Sequence, residues 1–227
     1  MQFVARTDRL ARLGSPLLVA ALSACVRPPL TEGCPDVQVG ELVITEIRGP
    51  QGSEYRQWIE LYNAGDEDIA LGGLAVEFTR LDGKPDGRFA VRDDALTVAP
   101  GEYVVLGGGP PTSHAYIDYD YTVDYFRTKD ELPPGMPDGE PDDADFDGKI
   151  DKHTKNLPTS GFVDLVACGV SIDRVLLHSL PNPGTLYWPG EPDAAANDDG
   201  SAWCSDTFTL GPDHPTAIFG TPGEPNP

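Results

Sequence analysis

Downstream of Glu41 the chain alternates apolar and polar residues with a period of two, and no stretch sustains the three-to-four spacing of an amphipathic helix. Leu42 and Ile44 alternate with Val43, Thr45 and Ile47; Ile59 and Leu61 alternate with Trp58, Glu60 and Tyr62; Leu74, Val76 and Phe78 oppose Ala75, Glu77 and Thr79. Successive side chains of an extended backbone point to opposite faces, so the pattern dictates half-buried strands. Further strands are expected at YVVLG (103–107) and on either side of Gly169, in FVDLVACG and VSIDRVLLH. Turn signals stand between them. Ala99-Pro100-Gly101-Glu102 puts Pro second and Gly third, the order of a type II turn. With 25 Gly and 23 Pro in 227 residues, a helical bundle is excluded. About seven short strands with turns between them predict an all-β fold, a β-sandwich whose two sheets share one core.

One stretch interrupts this rhythm. Residues 110–159 are far more than a connection between strands needs, and long loops without periodic structure are usually functional or disordered. Residues 111–156 hold 12 Asp+Glu against 5 Lys+Arg, a local balance of −7. They also carry Tyr116, Tyr119, Tyr121, Tyr125 and Phe126, interleaved with Asp118, Asp120 and Asp124. A fully disordered loop rarely keeps so many rings, so part of the insertion is expected to pack on the sandwich.

Four segments carry a family likeness. ELVITEI (41–47), WIELYNAGDEDIALGGL (58–74) and, further on, APGEYVVL (99–106) with GTPGEPN (220–226), in that order, resemble the lamin tail domain. With the aromatic strand around Trp203, the resemblance covers most of 41–107 and 160–227 and implies an immunoglobulin-like β-sandwich in which the acidic stretch is a long loop insertion. In that frame Asn63 and Gly65 are read as left-handed positions of a strand-ending turn, and Leu71 and Leu74 as apolar anchors beside Gly72 and Gly73. The family offers no catalytic motif, and its members are usually binding or attachment modules.

Residues 1–24 place Arg6, Arg9 and Arg12 before the apolar run Leu17 to Leu22, the charged and hydrophobic regions of a secretory signal. Gly14, Ser15 and Pro16 interrupt the run, which disfavours a membrane-spanning helix. Leu22-Ser23-Ala24-Cys25 then resembles the lipobox of bacterial lipoproteins at all four positions, which implies cleavage before Cys25 and acylation of its sulfur and amine. More than one acyl chain gives stable attachment. Val26, where an Asp often retains lipoproteins at the inner membrane, is compatible with the outer membrane. The alternative is an ordinary cleaved signal with a chance Cys after it. Residues 25–40, with Pro28, Pro29, Gly33 and Pro35, read as a lipidated Cys and Pro-rich tether to a domain at 41–227.

Loss of residues 1–24 leaves 13 Lys+Arg against 36 Asp+Glu, a net charge of −23. Such a body repels nucleic acid and anionic lipid, so lipid rather than charge would hold it at a membrane. Acylation of Cys25 leaves Cys34, Cys168 and Cys204 in an oxidising compartment. Cys168 with Cys204 is the expected disulfide, since both lie in strand-like segments while Cys34 sits in the leader. No C-x-x-C pair exists, and His114, His153, His178 and His214 lack metal-ligand spacing.

The candidate ion site is Asp143, Asp145, Asp147, Gly148, Lys149 and Asp151, in the form D-x-D-x-D-G-x-x-D. Calcium takes six to eight oxygens, and carboxylates at loop positions 1, 3, 5 and 9 with a carbonyl at 7 can wrap one ion, Gly at 6 allowing the bend. The run resembles the calcium loops of EF-hands, dockerins and thrombospondin type-3 repeats, with Lys149 contributing its carbonyl. Thr154 stands where an EF-hand has its bidentate Glu, which predicts weak affinity, roughly 0.1 to 1 mM. The competing reading is a solvated acidic loop.

No catalytic constellation is legible. Ser53 near Glu54, and His178 near Ser179, lack an inferable base and orienting group. Asp198-Asp199-Gly200 reads as a hairpin turn, and Trp58 and Trp203 as structural anchors. The expectation is a non-catalytic, lipid-anchored envelope module that binds a protein or polysaccharide and takes calcium through its insertion. The rivals are an accessory or divergent hydrolase of the nuclease-associated kind and a structural envelope spacer.

Overall fold

The computed structural model describes residues 33–51, 57–123, 126–127, 156–207 and 220–227. Their elements are β1 (Leu42–Arg48), β2 (Trp58–Asn63), β3 (Ile69–Ala70), β4 (Ala75–Thr79), β5 (Pro85–Ala90), β6 (Thr97–Val98) and β7 (Tyr103–Gly107). Then come β8 (Tyr119–Asp120), a 3-10 turn (Tyr121–Val123), β9 (Phe126–Arg127), β10 (Gly161–Ala167), β11 (Val170–Leu177), β12 (Thr185–Tyr187) and β13 (Cys204–Asp206). The described residues contain no α-helix, so the fold is all-β, as the alternation predicts.

A six-stranded sheet runs β13-β12-β1-β2-β7-β8, a five-stranded sheet runs β11-β10-β4-β5-β9, and β3 pairs with β6 alone. Pairs are antiparallel except β7 with β8. The large sheets share one apolar interior. Leu42, Ile44, Ile59, Leu61, Val104 and Leu106 from the first meet Val76, Phe78, Phe89, Val163, Leu165 and Val175 from the second, a sandwich-like arrangement.

One register irregularity departs from the expected alternation. A bulge between Ile44 and Glu46 adds a residue to β1, so Ile47 joins Leu42 and Ile44 in the core instead of facing away with Val43 and Thr45. The same shift turns Glu46 to the outer face, opposite Glu60 of β2.

The turns follow their residues. Gly101 has φ +76° and the Glu102 amide donates to the Ala99 carbonyl at 3.1 Å, the predicted type II turn. β10 and β11 form a hairpin through Cys168 (φ 49°) and Gly169 (φ 76°), both left-handed as a two-residue I′ connection requires. Asn63 and Gly65, by contrast, do not have positive φ. The Asn63 side chain is buried and donates to the carbonyls of Glu67 (2.8 Å) and Val98 (2.9 Å), while its oxygen accepts from the Gly65 amide (2.9 Å). It fixes the turn through its amide group, not through its backbone.

The disulfide differs from the expected one. Cys34 is bonded to Cys168, with Cα atoms 5.6 Å apart, and Cys204 is free. Cys168 sits at a hairpin tip of the five-stranded sheet, whereas Cys204 lies on β13 at the edge of the other sheet. The leader supplies the partner because residues 33–40 do not hang free: Pro35 is buried and the Gly40 amide donates to the Ile172 carbonyl at 3.1 Å.

The first part of the insertion is built into the body. Ile117, Tyr119 and Tyr121 are buried, Tyr121 stacks on Phe89 with centroids 4.7 Å apart, β8 extends one sheet and β9 the other. Tyr116 packs with Trp58, Val105 and Ile117 on the outer face of the six-stranded sheet. Leu157, near the far end of the insertion, is buried, and its amide donates to Gln57 Oε1 at 2.8 Å.

Candidate functional site

The most unusual chemistry lies on the outer face of the six-stranded sheet. Glu46 and Glu60 are register partners on β1 and β2, and both are fully buried. Ionised carboxylates in such a place need charge partners or several donors. Trp58 Nε1 donates to Glu46 Oε1 (3.0 Å), and the Thr221 amide to Glu46 Oε2 (2.9 Å). Thr45 Oγ1 donates to Glu60 Oε1 (2.7 Å), and the Gly223 amide to Glu60 Oε2 (2.7 Å). Asn226 Nδ2 completes the seam on the Thr45 carbonyl (3.1 Å).

The segment 220–226 is thus clipped across β1 and β2 by two carboxylates. Gly220 is required at its start: its φ is +103°, and a Cβ there would collide with the Glu46 carboxylate. Burial pushes Glu46 up to about 7, against the lowering by its donors. Burial, and then the charge of Glu46, push Glu60 up to about 8. Near neutral pH the pair therefore holds on to protons that exposed carboxyls would have released. Paired carboxyls of unequal acidity can serve acid–base chemistry. Here every carboxylate oxygen accepts from the chain's own groups, and neither residue lines the two surface clefts described below. What the arrangement does is hold backbone.

A second polar node joins the sheets. Asp173 of β11 accepts from the Ile44 amide (2.7 Å) and Asn197 Nδ2 (2.9 Å), and Asn197 also donates to the Ile44 carbonyl (3.0 Å). Trp203 Nε1 donates to the Asn197 carbonyl at 2.8 Å. Asp173 is pushed up to about 6 by burial. The node satisfies β1 where it lies beyond the reach of β12, whose register covers only Glu46 and Ile47.

Two clefts are lined by the described residues. One, about 480 Å³, lies between Val39, Asp173, Arg174, Asp193 and Asp198; the other, about 540 Å³, between Arg80, Leu81, Asp86 and residues 156–160. No group of three or more His, Cys, Asp or Glu among the described residues is placed to hold a metal.

The sequence-derived sites distribute unevenly over this structure. Cys25 lies outside the described residues, as do Asp143, Asp145, Asp147, Lys149 and Asp151 of the calcium loop. Cys168 is disulfide-bonded, to Cys34. Trp58 and Trp203 are buried anchors, and His178 and Ser179 are exposed. Asp199 caps a turn by accepting from the Ser201 amide (3.0 Å), although that turn lies in the long link between β12 and β13 and closes no hairpin. Sequence reasoning missed Glu46 and Glu60 as a unit. The available signal was an acid set among apolar neighbours in each of two adjacent strands.

No protein-family model, curated protein or solved structure matches this chain.

Proposed function

We propose that this protein is a lipid-anchored, exported attachment module of the cell envelope, built on a lamin-tail-like, immunoglobulin-like sandwich and working by binding. The observation that carries the reading is the Cys34–Cys168 disulfide, nine residues downstream of the lipobox cysteine. A bond between thiols persists in oxidising compartments, and this one joins the leader that follows Cys25 to the folded body. The family reading draws support from the segments that resemble lamin tails. ITEI and WIELYN supply the buried carboxylates, and GTPGEPN supplies the amides that meet them, so the motifs answer one another in space.

Cys25 would carry the acyl chains, and Val26 is compatible with delivery to the outer membrane. Metabolic labelling with a fatty acid tests this directly: label enters the full chain and is lost in Cys25→Ala. A wild-type chain that takes no label ends the proposal.

Calcium is proposed to bind Asp143, Asp145, Asp147, the Lys149 carbonyl and Asp151, ordering the acidic insertion. Calorimetric titration is expected to show uptake in the range of roughly 0.1 to 1 mM, and no uptake at the upper end removes the assignment. The partner is proposed to be a protein or polysaccharide of the envelope, not a nucleic acid, on the strength of the −23 mature charge.

A further inference from the structure

The strand directions and the disulfide give the molecule two distinct ends. At one end the β10–β11 hairpin turns through Cys168, to which Cys34 is bonded, and β1 enters the sheet from Leu42. Val39 and Val170, 69% and 53% exposed, sit at this end. At the other end β4 and β5 turn through Leu81, 58% exposed. β10 runs between them, Phe162 opposite Thr79 and Val166 opposite Ala75, so its seven residues separate the ends by about 20 Å. The acidic part of the insertion leaves and rejoins the body at the Leu81 end. Arg127 is the register partner of Gly87, and residues 156–160 share a cleft with Arg80, Leu81 and Asp86.

We infer that the protein stands with its disulfide end, residues 168–170, against the lipid surface and presents the Leu81 end away from it. The inference rests on the proposed acylation of Cys25. Nine residues from Cys25 to Cys34 reach at most about 30 Å, with a root-mean-square span nearer 17 Å if flexible. Turning the domain over would lift Cys34 by the sheet height of about 20 Å or more, beyond that mean span and toward full extension.

The disulfide is what keeps the tether short. Without it residues 34–39 are held only by the packing of Pro35 and Val37, and where that gives way the next anchor is the Gly40 hydrogen bond, fifteen residues from Cys25, a reach of about 50 Å that lets either end face the lipid. Apolar exposure favours the same orientation, since Val39 and Val170 are then turned toward the lipid.

The test uses the full chain, acylated in a bacterial host, checked for fatty-acid incorporation, and reconstituted into phosphatidylcholine vesicles carrying an acceptor dye on the headgroup. A donor dye is attached through an azide-bearing amino acid at position 170 or, in a second preparation, at position 81. Energy transfer is expected to be at least about twofold stronger from 170 than from 81, for a height difference of about 20 Å. The Cys34→Ser/Cys168→Ser double variant brings the two values together, and mild reduction of the folded wild type does the same should that variant fail to fold. Equal transfer, or stronger transfer from 81, in an acylated and oxidised protein overturns the inference while leaving the anchor intact. Failure of the chain to take up fatty acid overturns both.

Discussion

Replacing Glu60 with Gln removes a charge, keeps the shape, and isolates what ionisation of the buried pair does to the fold. Folded Glu60 titrates near 8, against 4.5 for the free side chain, because burial and then the Glu46 charge disfavour its carboxylate. A group raised in this way contributes its full stability below the unfolded value and loses it as pH climbs through the folded one. Between 4.5 and about 8 the wild type therefore loses up to about 1.4 kcal/mol per pH unit through this group, which the unfolded chain deprotonates freely. The Gln variant lacks this contribution, while Glu46, pushed up to about 7, keeps a slope of its own in both proteins. The Gln amide must serve both the Gly223 N–H and the Thr45 hydroxyl, an exchange that costs roughly 1 kcal/mol at any pH.

Glu60→Gln is thus expected to be the less stable protein near pH 5 and the more stable one near pH 8, with a crossing between. Urea unfolding followed by tryptophan fluorescence at intervals across that range supplies the difference at each pH. Asp173, raised to about 6 by its own burial, contributes equally to both proteins and cancels. A difference that stays flat from about pH 5 to 8 refutes the reasoning, and one that turns further against the variant as pH rises refutes its sign.

Three further outcomes can be read with the same unfolding assay. Asn63→Ala leaves the Glu67 and Val98 carbonyls without their donor and is expected to cost about 2 to 3 kcal/mol. Cys34→Ser opens a link across 134 residues, worth about 5 kcal/mol in the chain-entropy account and roughly 2 to 5 in practice, whereas Cys204→Ser leaves the disulfide intact and costs under about 1. Gly220→Ala strains a φ of +103° and drives a methyl into Glu46, so the 220–226 segment should lift and become the preferred site of limited proteolysis.

The strands were legible because Leu74, Val76 and Phe78, or Val163 and Leu165, sit where one face of a sheet must be apolar. Ile47 takes the opposite face because a bulge is a backbone event, and nothing in LVITEIR marks the extra residue. The disulfide is hidden from the sequence for a related reason. Pairing depends on where the leader folds back, and a Pro-rich stretch announces extension without announcing direction. Glu46 and Glu60 are ordinary acids in the sequence. Their burial follows from Thr221 and Gly223, 175 and 163 residues away, and no local pattern encodes a contact at that separation. Asn63 was located as a turn residue, but its role as a donor to Val98 needed the neighbouring strand in place.

The clip between the first two strands and residues 221 and 223 also sets a schedule. A chain made from its N-terminus exposes Glu46 and Glu60 long before the amides that will cover them emerge, and until then both acids stay hydrated, charged and mutually repelling. The outer face of the central sheet is therefore completed last, on the arrival of a few late residues.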